Sequence, residues 1–360
     1  MISDKKQNQP LLHSYRNYIK SKYLYLVICA ILLLFLLAAG IGIGPTSIGW
    51  DDIISALQGE NSGSSQHVIL HLRMPRLFAA MLSGAALAVS GVVMQSVLRN
   101  PLGSPFTLGI SNAAAFGAAF SYIFLTESSI IHQVSATFPI IQSLVVTLSA
   151  FVWAMIACLF ILLVARMRGT TPENMILTGI IASTLFTAMT SILQFLADDI
   201  KLASIVFWTF GDLSKGGWNE LAIQFMILVP IVFYFIKKRM SFNALDSGDD
   251  VAYSLGVQVS SFRKTSMVLA SLMTACIVSF YGIIAFVGLV IPHIVRKLIG
   301  GDERFLLPAS ALSGAVFLMF CDMIARTVIS PVVIPVGILT SMIGAPLFIF
   351  LLIKSKRYQA

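Results

Sequence analysis

Charge is what this chain lacks. Of its 360 residues only 11% are Asp, Glu, Lys or Arg, against roughly 25% in an ordinary soluble domain. That excludes a water-soluble globule of this size, which needs a charged coat, and equally a disordered chain, which cannot be this hydrophobic. Cysteine is scarce too. Cys29, Cys158, Cys276 and Cys321 each lie in an apolar run without CxxC spacing. They exclude a disulfide scaffold and read as small core residues, not metal ligands. No GxxxxGK[ST] loop, HExxH helix, GxSxG elbow or kinase motif occurs, so the sequence offers no phosphate cradle, zinc helix or nucleophile. Gly40, Gly42 and Gly44 form a GxGxG, but it closes an apolar run with no strand before it.

What is present is apolar length. Hydrophobic residues make up 57% of the chain and mean hydropathy is +0.89. A bilayer-crossing helix needs about 20 mostly apolar residues. Ten segments qualify: 24–43, 74–98, 107–126, 139–165, 174–197, 220–236, 262–281, 283–299, 305–328 and 335–353. Only Gly282 separates the seventh from the eighth, so one of that pair is expected to be short or bent. The first run follows MISDKKQNQP and starts near Leu24. With many runs after it, it reads as a first span, not a cleaved signal.

The formal net charge of +8 then orients the chain, because Lys and Arg collect on the cytoplasmic side. With the N-terminus inside and ten crossings, 19 of the 24 basic residues fall inside. The five outside are Arg73, Arg76, Lys201, Lys215 and Arg326. The expected fold is therefore all-α: a polytopic membrane protein of about ten transmembrane helices with both termini cytoplasmic. Residues 1–23 form a cytoplasmic segment, 24–354 the transmembrane domain and 355–360 a tail. Nucleic acid is not an expected partner; the lipid bilayer is.

Between the spans, Gly59–Gln66 is a polar connector. The inner segment 239–261 is the longest cytoplasmic connection. Asn243 or Asp246 is a candidate N-cap there, and Ala252, Leu255 and Gly256 form a short amphipathic run. It is expected to make two short helices outside the bilayer, a surface suited to docking a partner.

Within the spans, Ala80, Gly84, Ala88 and Gly91 form a small-residue stripe that favours close helix packing. Gln95 is expected to bond another helix or face a cavity. Thr184, Thr187, Ser191 and Gln194 share one helix face. They either bond neighbouring helices and their own carbonyls or line an aqueous path. Asp322 and Arg326 are placed to pair. Ion-coupled carriers use buried ionisable residues, and these are nearly absent here, so energy for transport is expected to come from another protein. His67 and His71, at i and i+4, lack a third ligand. His293, after Pro292, is expected to bond backbone.

Ordered blocks along the chain carry a resemblance. They are Arg73–Arg76 (RMPR), Gly84–Ala88 with Gly91 and Gln95, Arg99–Pro105 (RNPLGSP) and Leu108–Ile110. Then follow Trp208, Gly211–Leu213, Trp218, Ala252–Gly256 (AYSLG) and Phe286–His293 (FVGLVIPH) with Arg296. Asp322, Arg326, Pro335–Ile338 and Gly344–Pro346 complete the set. In this order they resemble the membrane-spanning subunits of type II ABC importers for iron–siderophores, haem and vitamin B12, the FecCD type.

The resemblance implies a permease that works as a pair, as a homodimer or with a paralogue, with two cytoplasmic ATP-binding subunits and an extracytoplasmic substrate-binding protein. It implies that Arg73, Arg76 and Arg326 dock the binding protein. It further implies that Leu245, Gly248, Asp249, Ala252, Leu255 and Gly256 couple to the ATPase, and that Gln95, Thr184, Thr187, Ser191 and Gln194 lie along the path. No catalytic residue, metal or cofactor is expected, and ATP hydrolysis falls to a separate subunit. The expected place is a bacterial or archaeal cytoplasmic membrane. The cargo is a metal chelate with iron(III)–siderophore foremost; haem or cobalamin is the alternative, and a stand-alone secondary transporter a further one. Two departures stand out. Val333 replaces the family's usual Glu, and Asp212 stands where Ser is usual.

Overall fold

The computed structural model describes residues 4–44, 64–126, 140–169 and 171–356, with isolated positions between 49 and 58. Positions 59–63 of the predicted connector Gly59–Gln66 and the end of the tail from 357 lie outside the described residues; Ser64–His67 is helical.

Among the described residues all regular structure is helical, without strands. The elements are α1 (Asp4–Gly42), α2 (Met74–Val97), α3 (Ile110–Phe120), α4 (Ile140–Arg168), α5 (Pro172–Leu196), α6 (Asp199–Thr209) and α7 (Trp218–Lys237). After them come α8 (Arg239–Asp246), α9 (Asp249–Ser254), α10 (Val259–Tyr281), α11 (Val287–Ile299), α12 (Glu303–Thr327) and α13 (Val336–Lys356). A π-helical stretch, Val68–Arg73, leads into α2, and another, Ser121–Leu125, extends α3.

Among these residues seven helices are long and apolar enough to cross a membrane. The other three predicted segments, 107–126, 283–299 and 335–353, hold α3, α11 and α13. The expected bend falls after Gly282: α10 ends at Tyr281, and α11 begins only at Val287, as a helix of 13 residues. Helix α6 was not foreseen. Its 11 residues are too few for a span, and the Asp198 carboxylate caps it by accepting from Lys201 N–H, as Asp does at an N-cap. Thr171 caps α5 likewise, with Pro172 in the first turn.

Helix α2 is the centre. It packs against α12, α10, α11 and α7, and 78% of its most apolar stretch is buried, against 17% in α1. The small-residue stripe explains how so many neighbours fit. A Cβ on Gly84 would collide with the Gly314 carbonyl oxygen of α12, and one on Gly91 with that of Gly288 on α11. Backbones meet directly there, which only residues without a side chain permit. The four cysteines are buried and free. Helices α3, α4 and α5 form a second group that joins the first mainly through α10 and α4.

Candidate functional site

With the charge bias defining inside, buried charges of the described residues cluster near the two ends of α2. At the outer end Arg76 Nε donates to Asp322 Oδ1 at 2.7 Å, and Arg326 Nε stands 3.0 Å from Asp322 Oδ2. The expected Asp322–Arg326 pair therefore forms and also takes in Arg76. Arg73 Nη1 donates to the carbonyls of Ile41 and Gly42 at 2.7 and 2.9 Å, so it closes the C-terminus of α1, whose last carbonyls have no helical partner.

The three arginines are only 4%, 7% and 3% exposed. They lie together at one end of α2, buried and internally bonded. They line a cavity of about 360 Å³ together with His71, Ser214 and Val333. Arg76 Nη2 and Arg326 Nη2 have no hydrogen-bond acceptor, so donor capacity remains beside that space. Asp212 Oδ1 lies 3.9 Å from Arg76 Nη2. The two family departures thus meet at one cluster, which lacks an acid at Val333 and holds one at Asp212.

The His67 and His71 rings stack with centroids 5.0 Å apart. Among the described residues no group of three His, Cys, Asp or Glu side chains is placed to hold a metal. His293 Nε2 has no hydrogen-bond partner; its ring meets Phe348 edge-on instead.

At the inner end α8 and α9 form the two expected short helices. Neither Asn243 nor Asp246 caps α8, since Asn243 lies inside it and Asp246 at its end. Asn243 serves another helix. Its Oδ1 accepts from Glu303 N–H at 2.8 Å, and its Nδ2 donates to Asp302 Oδ1 at 3.1 Å, where Asp302 is the N-cap of α12. Asp246 Oδ2 stands 3.4 Å from Arg296 Nη1. Burial pushes the Asp246 carboxyl up, and the Arg296 charge opposes the shift.

Glu303, fully buried, accepts from Ser96 Oγ at 2.8 Å and from Arg296 Nη2 at 3.1 Å. Asp249 accepts two bonds from Arg263 Nη2, at 2.9 and 3.1 Å, and Arg263 Nε donates to Val97 O at 3.0 Å. Leu245 and Ala252 are buried, while Tyr253 and Leu255 are 77% and 68% exposed. The amphipathic run thus turns Ala252 inward, with Leu255 and Gly256 outward. Gly248, between α8 and α9, has φ +119° with open space around it, a turn that suits glycine. The Asp246–Arg296–Glu303 set was not read from sequence. Its members are dispersed along the chain, and no local spacing links them.

Along α5, Thr184, Thr187 and Ser191 are exposed, Gln194 half-buried. Each hydroxyl donates to its own helix, to Ile180 O, Ser183 O and Thr187 O. Asn112 Nδ2 also donates to Thr187 Oγ1 at 3.3 Å. Gln95 does both things expected of it: Nε2 donates to Leu289 O at 3.2 Å, and the side chain lines an inner cavity of about 500 Å³.

Comparison with known proteins agrees with this architecture. An ABC transporter permease protein of Methanocaldococcus jannaschii is 46% identical over 340 residues, which is 94% of this chain and 97% of the relative. The Fe(3+)-citrate import system permease protein YfmE of Bacillus subtilis is 35% identical, over 94% of this chain and 98% of its own. A solved inward-facing metal-chelate type ABC transporter superposes with TM-score 0.79 at 31% identity, covering 91% of this chain and 98% of its own. Residues 31–354 match the FecCD transport family. The chain belongs to the FecCD transport family.

Proposed function

We propose that the chain is the permease subunit of an ATP-driven importer and forms the path of a metal chelate, with an iron(III)–siderophore as cargo. The observation that carries this reading is the α8–α9 unit. It presents Tyr253 and Leu255 outward while Arg263, Arg296 and Asn243 tie it to the spans. Such a unit suits an external motor better than an ion gradient. The iron chelate of the Bacillus subtilis relative's name supports the cargo class.

In this reading ten spans place both termini in the cytoplasm and two permeases pair, as a homodimer or with a paralogue. Two ATP-binding subunits engage Leu245–Gly256, with Gly248, Asp249, Ala252 and Leu255 transmitting their motion. Arg73, Arg76 and Arg326 receive acidic groups of a binding protein at the outer cavity, where two guanidinium nitrogens lack acceptors. Gln95, Thr184, Thr187, Ser191 and Gln194 border the path. ATP is hydrolysed on the partner subunits, and the permease stabilises inward- and outward-facing states differently.

The test is uptake into proteoliposomes that hold the assembled transporter, with radio-iron ferrichrome and ferric citrate, haemin and cyanocobalamin compared. ATP-dependent, ionophore-insensitive uptake of a ferric chelate is expected. Preference for haemin or cyanocobalamin would redirect the cargo. Uptake driven by an ion gradient without ATP would overturn the importer.

A further inference from the structure

One guanidinium, that of Arg296, joins four helices at the inner end of the molecule. Its Nη2 faces the buried Glu303 of α12 at 3.1 Å and Ser96 Oγ of α2 at 3.4 Å. Its Nη1 faces Asp246 of α8 at 3.4 Å. The residue itself belongs to α11. Arginine suits this position because its planar fork holds two partners in fixed geometry.

The two sides of the fork differ in strength. Glu303 is fully buried and also accepts from Ser96, so removing a partner leaves a buried charge uncompensated. Asp246 and Arg296 are 28% and 29% exposed in their side chains, and pairs reached by water hold only weakly. Of the two contacts, that to Glu303 is thus the harder to break and that to Asp246 the easier.

The surroundings give that contact room. The inner cavity of about 500 Å³ is bordered by both Asp246 and Arg296. On the other side of Gly248, α9 is held by Arg263, 2% exposed, through two bonds to Asp249. Helix α8 is therefore held to the start of α12 by Asn243, through α9 by Arg263, and to α11 by the more open Asp246 contact, with a glycine turn before α9.

We propose that Asp246 and Arg296 form the joint by which displacement of α8 reaches the inner ends of α2, α11 and α12, with Arg296 a positioning residue for transport. This rests on the importer reading above. Asn243, three residues before Asp246 and so on the same face, keeps α8 in register by holding the start of α12.

The experiment uses the assembled transporter in proteoliposomes, with ATP hydrolysis and radio-iron ferrichrome uptake measured together and the melting temperature of the permease beside them. Asp246→Asn keeps the shape and removes the charge. Uptake per ATP hydrolysed is expected to fall about tenfold, within the usual range for coupled sites, at unchanged melting temperature. Asp246→Glu, which restores the charge, should recover most of the ratio. Arg296→Gln, which strips Glu303 of its counter-charge, should lower the melting temperature as well. A wild-type ratio in Asp246→Asn overturns the joint. So does a proportional fall in uptake and hydrolysis, a drop in its melting temperature, or no recovery with glutamate. Failure of the importer reading is separate, since wild-type liposomes would then show no ATP-driven uptake at all.

Discussion

Asp322 is fully buried and faces both Arg76 and Arg326, so its loss leaves two largely buried cations without their counter-charge. Asp322→Asn is expected to lower stability by about 3–5 kcal/mol, read from unfolding in detergent. Reversing Arg76 or Arg326 to an acid would be harsher, because a carboxylate would then face Asp322. Asp302 is the opposite case, held at the rim. Burial pushes its carboxyl up, but hydrogen bonds from Arg304 and Asn243 outweigh this and bring it from 3.8 to about 2. A carboxyl lowered on folding stabilises the fold above its unfolded pKa, and that contribution is lost as pH falls through the folded value. The Asp302 contribution to the melting temperature should thus hold down to about pH 4 and decline toward pH 2. In Asp302→Asn this part of the decline should be missing.

At the scale of the helix, α2 meets α12 through Gly84 and Gly314 without side chains between. Gly84→Leu would drive a branched side chain into backbone that has nowhere to go. Overpacking costs about 1–3 kcal/mol where neighbours can shift, and a larger loss, with poor assembly on size-exclusion chromatography, is expected here. On α9, Leu255→Asp alters an exposed side chain. It should leave the melting temperature unchanged while ATP-dependent uptake falls at least tenfold, the range of a coupling loss.

The stripe on α2 was legible because close packing needs small residues at helical spacing, and spacing is what a sequence displays. Asn243 was misread because the capping signal is local, whereas this side chain caps α12, 60 residues away. The Arg296 joint was hidden for the same reason. Helix α6 was passed over because the search for spans sets a length that it does not reach.

At the scale of the whole molecule, the outward faces of the helices are those that lipid or water meets. The α5 hydroxyls point outward yet bond their own backbone, so neither lipid nor water is denied them by hydrogen bonding. Thr184→Cys, Thr187→Cys and Ser191→Cys are expected to react with water-soluble thiol reagents in the assembled transporter, and differently with and without ATP. Protection in every state would assign this face to helix packing or lipid. The sparse charge also takes on shape at this scale. It gathers at the two ends of the central helix and leaves the middle apolar.

Helices α2 and α12 are joined at three heights: Arg76–Asp322 outside, Gly84–Gly314 between, Ser96–Glu303 inside. A helix of 24 residues is about 36 Å long, and two such rods pinned near both ends and along their length cannot slide past one another. They behave as a beam. Any opening or closing of the path must swing other helices about this beam or carry it whole, and its amide protons should be the last in the protein to exchange with solvent.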